Sequence, residues 1–397
     1  MQSTTNRRAG LGVYVQVPFC QAKCTYCNFA TGVARAETYD PYAEAVCQEI
    51  LRHGALYRAA GLKRWQSETP RFAAETLYVG GGTPSLLDPA ALARIVHAVR
   101  DVFPGPFAET TLEADPETIT EKKACAWRDA GFSRISLGAQ SFDDQELKAV
   151  GRRHRRADIY SANETLRRVG FENLSFDLIA GLPRQTPESW QASLDALLGL
   201  APEHISIYML ELDEGSRLGR ESLAGGARYG VPALPEDDAT ADFYERACEQ
   251  LPGHGYEHYE ISNWALPGRR SVHNGKYWRR DPYLGFGAGA HSFDGTERFS
   301  NAHVPADYAG AIRDGRAAID RRETLDPGQS LDEELFLGLR QLEGIDLAEI
   351  ESRYRVKLGD KVRPLAEEGL VEMVGGRLRL VASRLTVSNE VFVRLLA

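Results

Sequence analysis

Residues 13–29 read Val-Tyr-Val-Gln-Val-Pro-Phe-Cys-Gln-Ala-Lys-Cys-Thr-Tyr-Cys-Asn-Phe. The first five predict a short buried strand, and the stretch after it holds Cys20, Cys24 and Cys27 at C-x3-C-x2-C spacing. In barrel-like α/β folds, loops at the C-terminal ends of strands carry the chemistry. Three thiolates in one tight loop suit a soft metal centre. A four-iron cubane normally takes four thiolates, so three leave one iron open to a small ligand. A structural zinc site is the plainer alternative, but it requires four closed ligands. No fourth cysteine is near, and the closest histidine, His53, lies beyond a predicted helix. Three cysteines serve a redox pair no better than two.

Outward from this loop, short β-rich runs alternate with longer helical ones. Strands are predicted at 13–17, 76–79, 110–113, 134–138, 174–178 and 204–208, with the continuous apolar character of buried parallel strands. Asp40-Pro41, Asp88-Pro89 and Thr186-Pro187 each set a capping residue before a proline suited to the first helical position. Gly131 and Gly170 suit helix C-caps. Six βα units with right-handed crossovers predict a partial (β/α)6 TIM-like barrel, two units short of closure and open to a large substrate. This core is read over residues 1–235. Residues 236–327 form an α/β extension beside the barrel mouth: a helix near Asp238–Leu251, a segment rich in Gly, Tyr, Trp and His, and a polar linker over 301–328. Residues 328–397 read as a separate winged-helix-like domain. Ser330–Glu333 is expected to cap its first helix, and Gly375-Gly376 between alternating strands predicts a tight hairpin. With twelve acidic against ten basic residues, this domain is read as a structural or docking module rather than a DNA binder.

The chain has 397 residues and a net charge of -9. Such a surface repels phosphate backbones, which argues against nucleic-acid binding. No apolar stretch is long enough to span a membrane, and no targeting segment precedes Val13. A cytoplasmic location is therefore expected, with peripheral membrane contact left open. Clustered cysteines in a long chain of this type read as metal ligands rather than disulfides. Cys47, Cys125 and Cys248 are expected as buried thiols.

Further polar residues close the other strands. Gly80-Gly81-Gly82-Thr83 follows the second, and its glycines allow backbone to approach a ligand. Glu113, Gln140 and Asp177 lie at or near the ends of the third, fourth and fifth strands, where burial without partners is costly. Together they are expected to face one mouth. In the basic run 152–156, Arg152 is the candidate carboxylate partner, since a guanidinium fork pairs well with carboxylates.

The motif after the first strand resembles that of the radical S-adenosylmethionine (SAM) superfamily. The resemblance implies a [4Fe–4S] cluster on Cys20, Cys24 and Cys27, with SAM on the open iron and Tyr26 beside the adenine. The ordered set YVQVPFC, GGGTPSLL, LEADPET, RISLGAQSF, LKAVGRRH, DLIAGLP, YEISNWA and HNGKYW narrows it to the HemN/HemW group, over about residues 13–395. By that match Tyr14, Gly81, Gly82, Thr83, Glu113, Gln140, Arg152 and Asp177 fall on SAM-contact positions. Gln16 stands where this group commonly has histidine, which implies tuning rather than loss.

Two branches of the group compete. One is the oxygen-independent coproporphyrinogen III oxidase, which turns two propionates into vinyls and carries an additional cysteine two residues after the third. That position here is Phe29. The other consists of heme chaperones with three cysteines and an H-N-x-x-Y-W motif, here His273-Asn274-Gly275-Lys276-Tyr277-Trp278. The chaperone branch is the better match. It implies heme as a further ligand, with His273, Asn274, Tyr277, Trp278 and, less directly, His291 as candidate contacts. It also implies acceptor haemoproteins and an electron donor such as a flavodoxin or ferredoxin. From the residues alone, a histidine beside Tyr and Trp is equally a packed core histidine.

Overall fold

The computed structural model describes residues 10–62, 65 and 73–396; the polar N-terminal stretch before Gly10 lies outside them. Six parallel strands form its centre: β1 (Leu11–Val17), β2 (Ala74–Gly81), β3 (Glu109–Ala114), β4 (Arg134–Gln140), β5 (Leu174–Ala180) and β6 (His204–Met209). Helices α1 (Tyr39–Ala59), α2 (Pro89–Val102), α3 (Glu121–Ala130), α4 (Asp144–Ala149), α5 (Arg156–Val169) and α6 (Pro187–Leu200) connect them. Antiparallel β7 (Glu257–Glu260) and β8 (Asn263–Ala265) extend the sheet beyond β6. Beyond β1 stand β9 (Tyr283–Phe286), β10 (His291–Phe293), β11 (Glu297–Asn301) and β12 (Ile319–Thr324). The twelve strands run β12-β11-β10-β9-β1-β2-β3-β4-β5-β6-β8-β7. The extension thus flanks both edges of the parallel core.

The parallel strands are not apolar on both faces. Val13, Val15, Leu77, Val79, Leu112, Ile135, Leu137, Phe176, Leu178, Ile205 and Ile207 are buried in the core. The alternate positions carry Tyr14, Gln16, Thr76, Tyr78, Glu109, Thr111, Glu113, Arg134, Ser136, Ser175, Asp177, His204 and Ser206. Side chains alternate between faces along a strand, so the helices cover one face and the other lines a polar lumen. On α2, the spacing of Ala91, Leu92, Ile95, Val96 and Val99 gives the apolar stripe that meets the sheet.

Asp88 and Thr186 cap α2 and α6 as expected, and Gly131 and Gly170 end α3 and α5 in left-handed conformation. Asp40 does not cap α1. It falls inside the first turn, because a short 3-10 turn over Ala36–Thr38 starts the helix earlier, and it pairs with Arg94 instead. Residues 301–328 are not a linker. They hold α10 (Pro305–Arg313), with Tyr308 and Ile312 buried, and the edge strand β12. Of the three scattered thiols, Cys47 is buried, Cys248 partly so, and Cys125 is exposed on α3.

After α7 (Arg217–Leu223), α8 (Asp237–Gln250) and α9 (Val272–Trp278), the C-terminal segment contains α11 (Pro327–Leu339), α12 (Leu347–Tyr354), α13 (Gly359–Glu367) and α14 (Ser388–Leu396). A three-stranded sheet of Ile345–Asp346, Arg377–Leu380 and Val371–Val374 completes it, and its hairpin turns on Gly375 and Gly376, both at positive φ. The cap of α11 is Asp326, reciprocated by Gln329, and Ser330 lies one turn inside. This segment is tied down firmly. Glu333 pairs with Arg280 and Arg298, Arg340 with the buried Glu260, and its apolar residues join the main core.

Candidate functional site at the barrel mouth

The C-terminal ends of the parallel strands gather most of the expected SAM-site residues. Cys20 is buried at the end of the short strand Phe19–Cys20, and Cys24 and Cys27 are partly exposed on the loop after it. None is in a disulfide. Leu218 N donates to Thr25 O at 2.8 Å and Asn28 Nδ2 to Asp213 Oδ2 at 2.5 Å, so the segment before and into α7 straps the loop. Gly82 packs on it directly: a Cβ there would lie 2.5 Å from Phe19 O and 2.8 Å from Cys20 Sγ. Only glycine fits.

Among the described residues, no three His, Cys, Asp or Glu side chains converge as ligands of one metal ion. His53, the nearest histidine in sequence, lies within α1 against the Ile50 carbonyl. The closed four-ligand set that structural zinc requires is therefore not formed by these residues. A cubane distributes its ligands over separate iron corners and does not need them on one point. Three free thiols on one loop, with the Arg152 guanidinium 3.7 Å from Cys24 Sγ, are a donor set that fits it.

Arg152 is the electrostatic centre of the mouth. Its Nη2 donates to Asp115 Oδ1 at 2.5 Å and Gly138 O at 2.7 Å, with a side chain only 9% exposed. The Asp115 carboxylate, the Tyr26 hydroxyl and the Cys24 thiol overcome desolvation and hold the guanidinium charged. Asp115 also accepts from Thr83 Oγ1 at 3.0 Å, joining the glycine loop to the arginine. His154 braces Arg152 from behind, with Nε2 bonded to Ala139 O at 3.0 Å.

Glu113 accepts from Tyr78 OH at 2.7 Å and Gly81 N at 2.8 Å. Burial pushes its carboxyl up to about 7, against these hydrogen bonds. Burial likewise raises Asp177, whose Oδ2 lies 3.5 Å from Ser136 Oγ. Gln140 has φ 65°, a left-handed conformation uncommon outside glycine and typical of strained sites. Its amide closes over Gly138, where a Cβ would lie 2.9 Å from Gln140 Nε2. Tyr14 donates to the Gln16 side chain, which itself packs on Gly81. Tyr26 lies against a small apolar cluster of Val150, Ile179 and Leu182, separate from the main core.

The H-N-x-x-Y-W segment is elsewhere. It is α9, and it closes the opposite, N-terminal end of the lumen. Glu109 accepts from Val272 N and His273 N at 3.0 and 3.1 Å, anchoring the helix start. His273 is 1% exposed, with Nδ1 2.8 Å from Thr76 Oγ1 and Nε2 2.9 Å from Tyr277 OH. Its ring lies 5.1 Å from Tyr78 and 6.4 Å from Tyr14, measured between centroids. Lys276 is buried and paired with Glu75, and Trp278 packs edge-on to Tyr259. Of the expected heme contacts, His273 stands here as a packed core histidine, while Asn274, Tyr277 and Trp278 are partly buried. Both imidazole nitrogens are engaged, and burial with the neighbouring Lys276 and Arg134 lowers the ring to about 3. His291, by contrast, is exposed at the start of β10.

The sequence reading missed Asp115, Tyr78, Arg134, Ser136, His204 and Ser206 as lumen residues. The signal was present: TLYV, TTLE, RISL and HISI alternate polar and apolar positions, and period two marks a strand with two different faces.

Residues 14–197 match the radical SAM superfamily model and residues 325–382 the HemN C-terminal domain model. The chain is 31% identical to the heme chaperone HemW of Bacillus subtilis, over 96% of this chain and 97% of that protein. The chain belongs to the HemW family. It is also 36% identical to HemW of a Synechocystis strain, over 85% of this chain and 80% of that one. Among solved structures, this HemW-family chain resembles coproporphyrinogen III oxidase (HemN) from Escherichia coli, with TM-score 0.80 and 24% identity over 98% of this chain and 90% of that one. That likeness establishes the fold. None of the described helices is long and apolar enough to cross a membrane.

Proposed function

We propose that this chain is a heme chaperone that holds a [4Fe–4S] cluster and SAM at the barrel mouth, binds heme, and passes it to acceptor haemoproteins in the cytoplasm. The observation that carries the reading is its similarity, across almost its whole length, to proteins named heme chaperones. Position 29 supports it: the additional cysteine that the oxidase branch carries is replaced by a phenylalanine 67% exposed to solvent.

Cys20, Cys24 and Cys27 would hold the cluster, and reduced by a small electron carrier such as a flavodoxin or ferredoxin it would supply one electron for cleavage of SAM. The chain's own groups sort by charge around that cofactor. Arg152 Nη2 is committed to Asp115 and Gly138 and Nη1 lies at Cys24 Sγ, and the guanidinium charge suits the SAM carboxylate. Glu113 and the Gly81–Gly82 backbone suit the ammonium. Asp177, buried beside Ser136, suits ribose hydroxyls. Tyr26, Val150, Ile179 and Leu182 offer the apolar wall for adenine. Arg152 also lies against Cys24, so one guanidinium would couple SAM seating to the cluster loop.

The test is an anaerobic heme titration of reconstituted protein, followed by transfer to an apo-haemoprotein. Its companion is incubation with coproporphyrinogen III, SAM and a reductant. Stoichiometric heme uptake and release, without vinyl products, is the expected result. A vinyl-bearing porphyrin would replace the chaperone with the oxidase.

A further inference from the structure

The lumen face of the sheet does not stop at β1. Tyr14 pairs in register with Gly285 of β9, and Gly12 with Tyr283, so Tyr283 continues that face. Tyr283 pairs with Phe293 of β10. His291, two residues away, points to the same side. In the next pairings His291 lies opposite Ser300, and Ser300 opposite Arg321. Because β10 runs antiparallel to β9, His291 and this row stand at the mouth end, beside the cysteine loop.

The lower part of this face is covered. Arg280 and Arg298 lie over the Phe293 ring at 5.3 and 5.2 Å, and both pair with Glu333 of α11. The upper part is open: His291 and Arg321 are exposed, and no ion pair engages Arg321 among the described residues. Between them Ser300 is 2% exposed, yet its Oγ has no hydrogen-bond partner. A Cβ on Gly289 would lie 3.1 Å from His303 Nδ1 and 3.9 Å from Ala30 Cβ, so Gly289 borders both His303 and the far end of the cysteine loop. There Phe29 and Val304 stand 67% and 53% exposed.

Resting on the heme-chaperone reading, we infer that heme seats on this open mouth face, with His291 as iron ligand, Arg321 as propionate partner, and Phe29 and Val304 as apolar edge. The row spans two strand spacings, about 10 Å. That matches a centre-to-edge arrangement of metal ligand and carboxylate partner. A flat apolar macrocycle with a central metal and carboxylates on one edge requires this combination of imidazole, guanidinium and exposed carbon. The imidazole is in the right state: partial desolvation of the ring, then Arg298, His303 and Arg321, disfavour its protonated form and leave a lone pair for iron. The site adjoins the cluster loop, whereas His273 is sealed at the other end of the lumen.

The experiment is an anaerobic heme titration of the cluster-loaded full chain, read by Soret position and affinity, for wild type, His291→Ala and Arg321→Glu. His291→Ala is expected to shift the Soret band and weaken binding by about ten-fold, with added imidazole restoring the band. Arg321→Glu is expected to weaken binding by about five-fold without moving the band. Cluster absorbance and SAM affinity stay at wild-type values in both. Wild-type heme titrations in both variants overturn the inference and leave the chaperone reading standing. If Arg321→Glu slows reduction by flavodoxin while heme binding is unchanged, the face belongs to the electron donor and the inference is again overturned. A wild-type chain that takes up no heme brings down the chaperone reading, and this inference with it.

Discussion

The two ends of the lumen are both lined by polar and titratable residues and do opposite things. At the N-terminal end, His273, Glu109 and Lys276 direct their polar atoms to protein partners: Thr76 and Tyr277, the start of α9, and Glu75 with Gly10 O. At the C-terminal end, three thiols are free, Gln140 sits in a strained conformation, and Arg152 has paired only part of its fork. A buried polar group without a partner is costly, and at the mouth a ligand would supply the partners that the protein does not. Residue type alone does not separate a site from a plug; what each group meets does, since Thr111 Oγ1 and Arg134 Nε and Nη1, near the starts of their strands, also lack hydrogen-bond partners.

The sharpest test of this contrast is Cys24→Ala, which is expected to abolish the brown chromophore of the reconstituted protein, since two thiolates hold a cubane poorly. Full cluster absorbance and iron content in that variant would dissolve the mouth as a metal site. Next is Gly82→Ala, a change of one methyl group. With Phe19 O and Cys20 Sγ both under 3 Å from the new carbon, the cysteine loop must move, and cluster occupancy should fall by half or more, to about the level set by loop strain of 1–3 kcal/mol. Iron and sulfide analysis reads it. Arg152→Ala should weaken SAM binding by about 1–3 kcal/mol, as for loss of a charge-assisted bond, by calorimetry.

A smaller effect follows from Glu113, which burial raises from 4.5 to about 7. Only its ionised form complements an ammonium, so SAM affinity should fall as pH drops from 8 to 6, approaching about ten-fold per unit below pH 7, with proton uptake or release visible in buffers of different ionisation enthalpy. For folding the sign is reversed. The folded pKa lies above the unfolded one, so Glu113 favours the folded state at low pH, and that contribution is lost as pH rises from about 4.5 to about 7. His273→Ala should have the least effect on the cofactors. It is expected to leave SAM affinity and cluster content intact while lowering stability by about 1–3 kcal/mol for each orphaned partner, measured by urea unfolding. Loss of SAM binding at unchanged stability would erase the distinction between the two ends.

Much of the site was legible in the residues. The spacing of Cys20, Cys24 and Cys27 and the position of Gly81, Gly82, Glu113, Gln140 and Asp177 at strand ends depend only on local chain geometry, which sequence expresses directly. Asp115 was less legible. It stands two residues past Glu113, and nothing local reveals that it would bridge Thr83 and Arg152. The α9 segment was ambiguous for the same reason. A His, Tyr and Trp on one short helix have the same appearance whether they meet a ligand or Thr76 of a strand nearly two hundred residues away.

By itself the sequence determined the strand and helix periodicity, the glycine positions, and the three sulfur donors on one loop, because each follows from dihedral limits, side-chain alternation and ligand chemistry over a few residues. Only the tertiary structure decided which end of the lumen each polar group reached and whether it arrived with its hydrogen bonds complete. Those outcomes depend on curling of the sheet and on which distant strand supplies the partner, and burial converts that partnering into either a sealed plug or an open site.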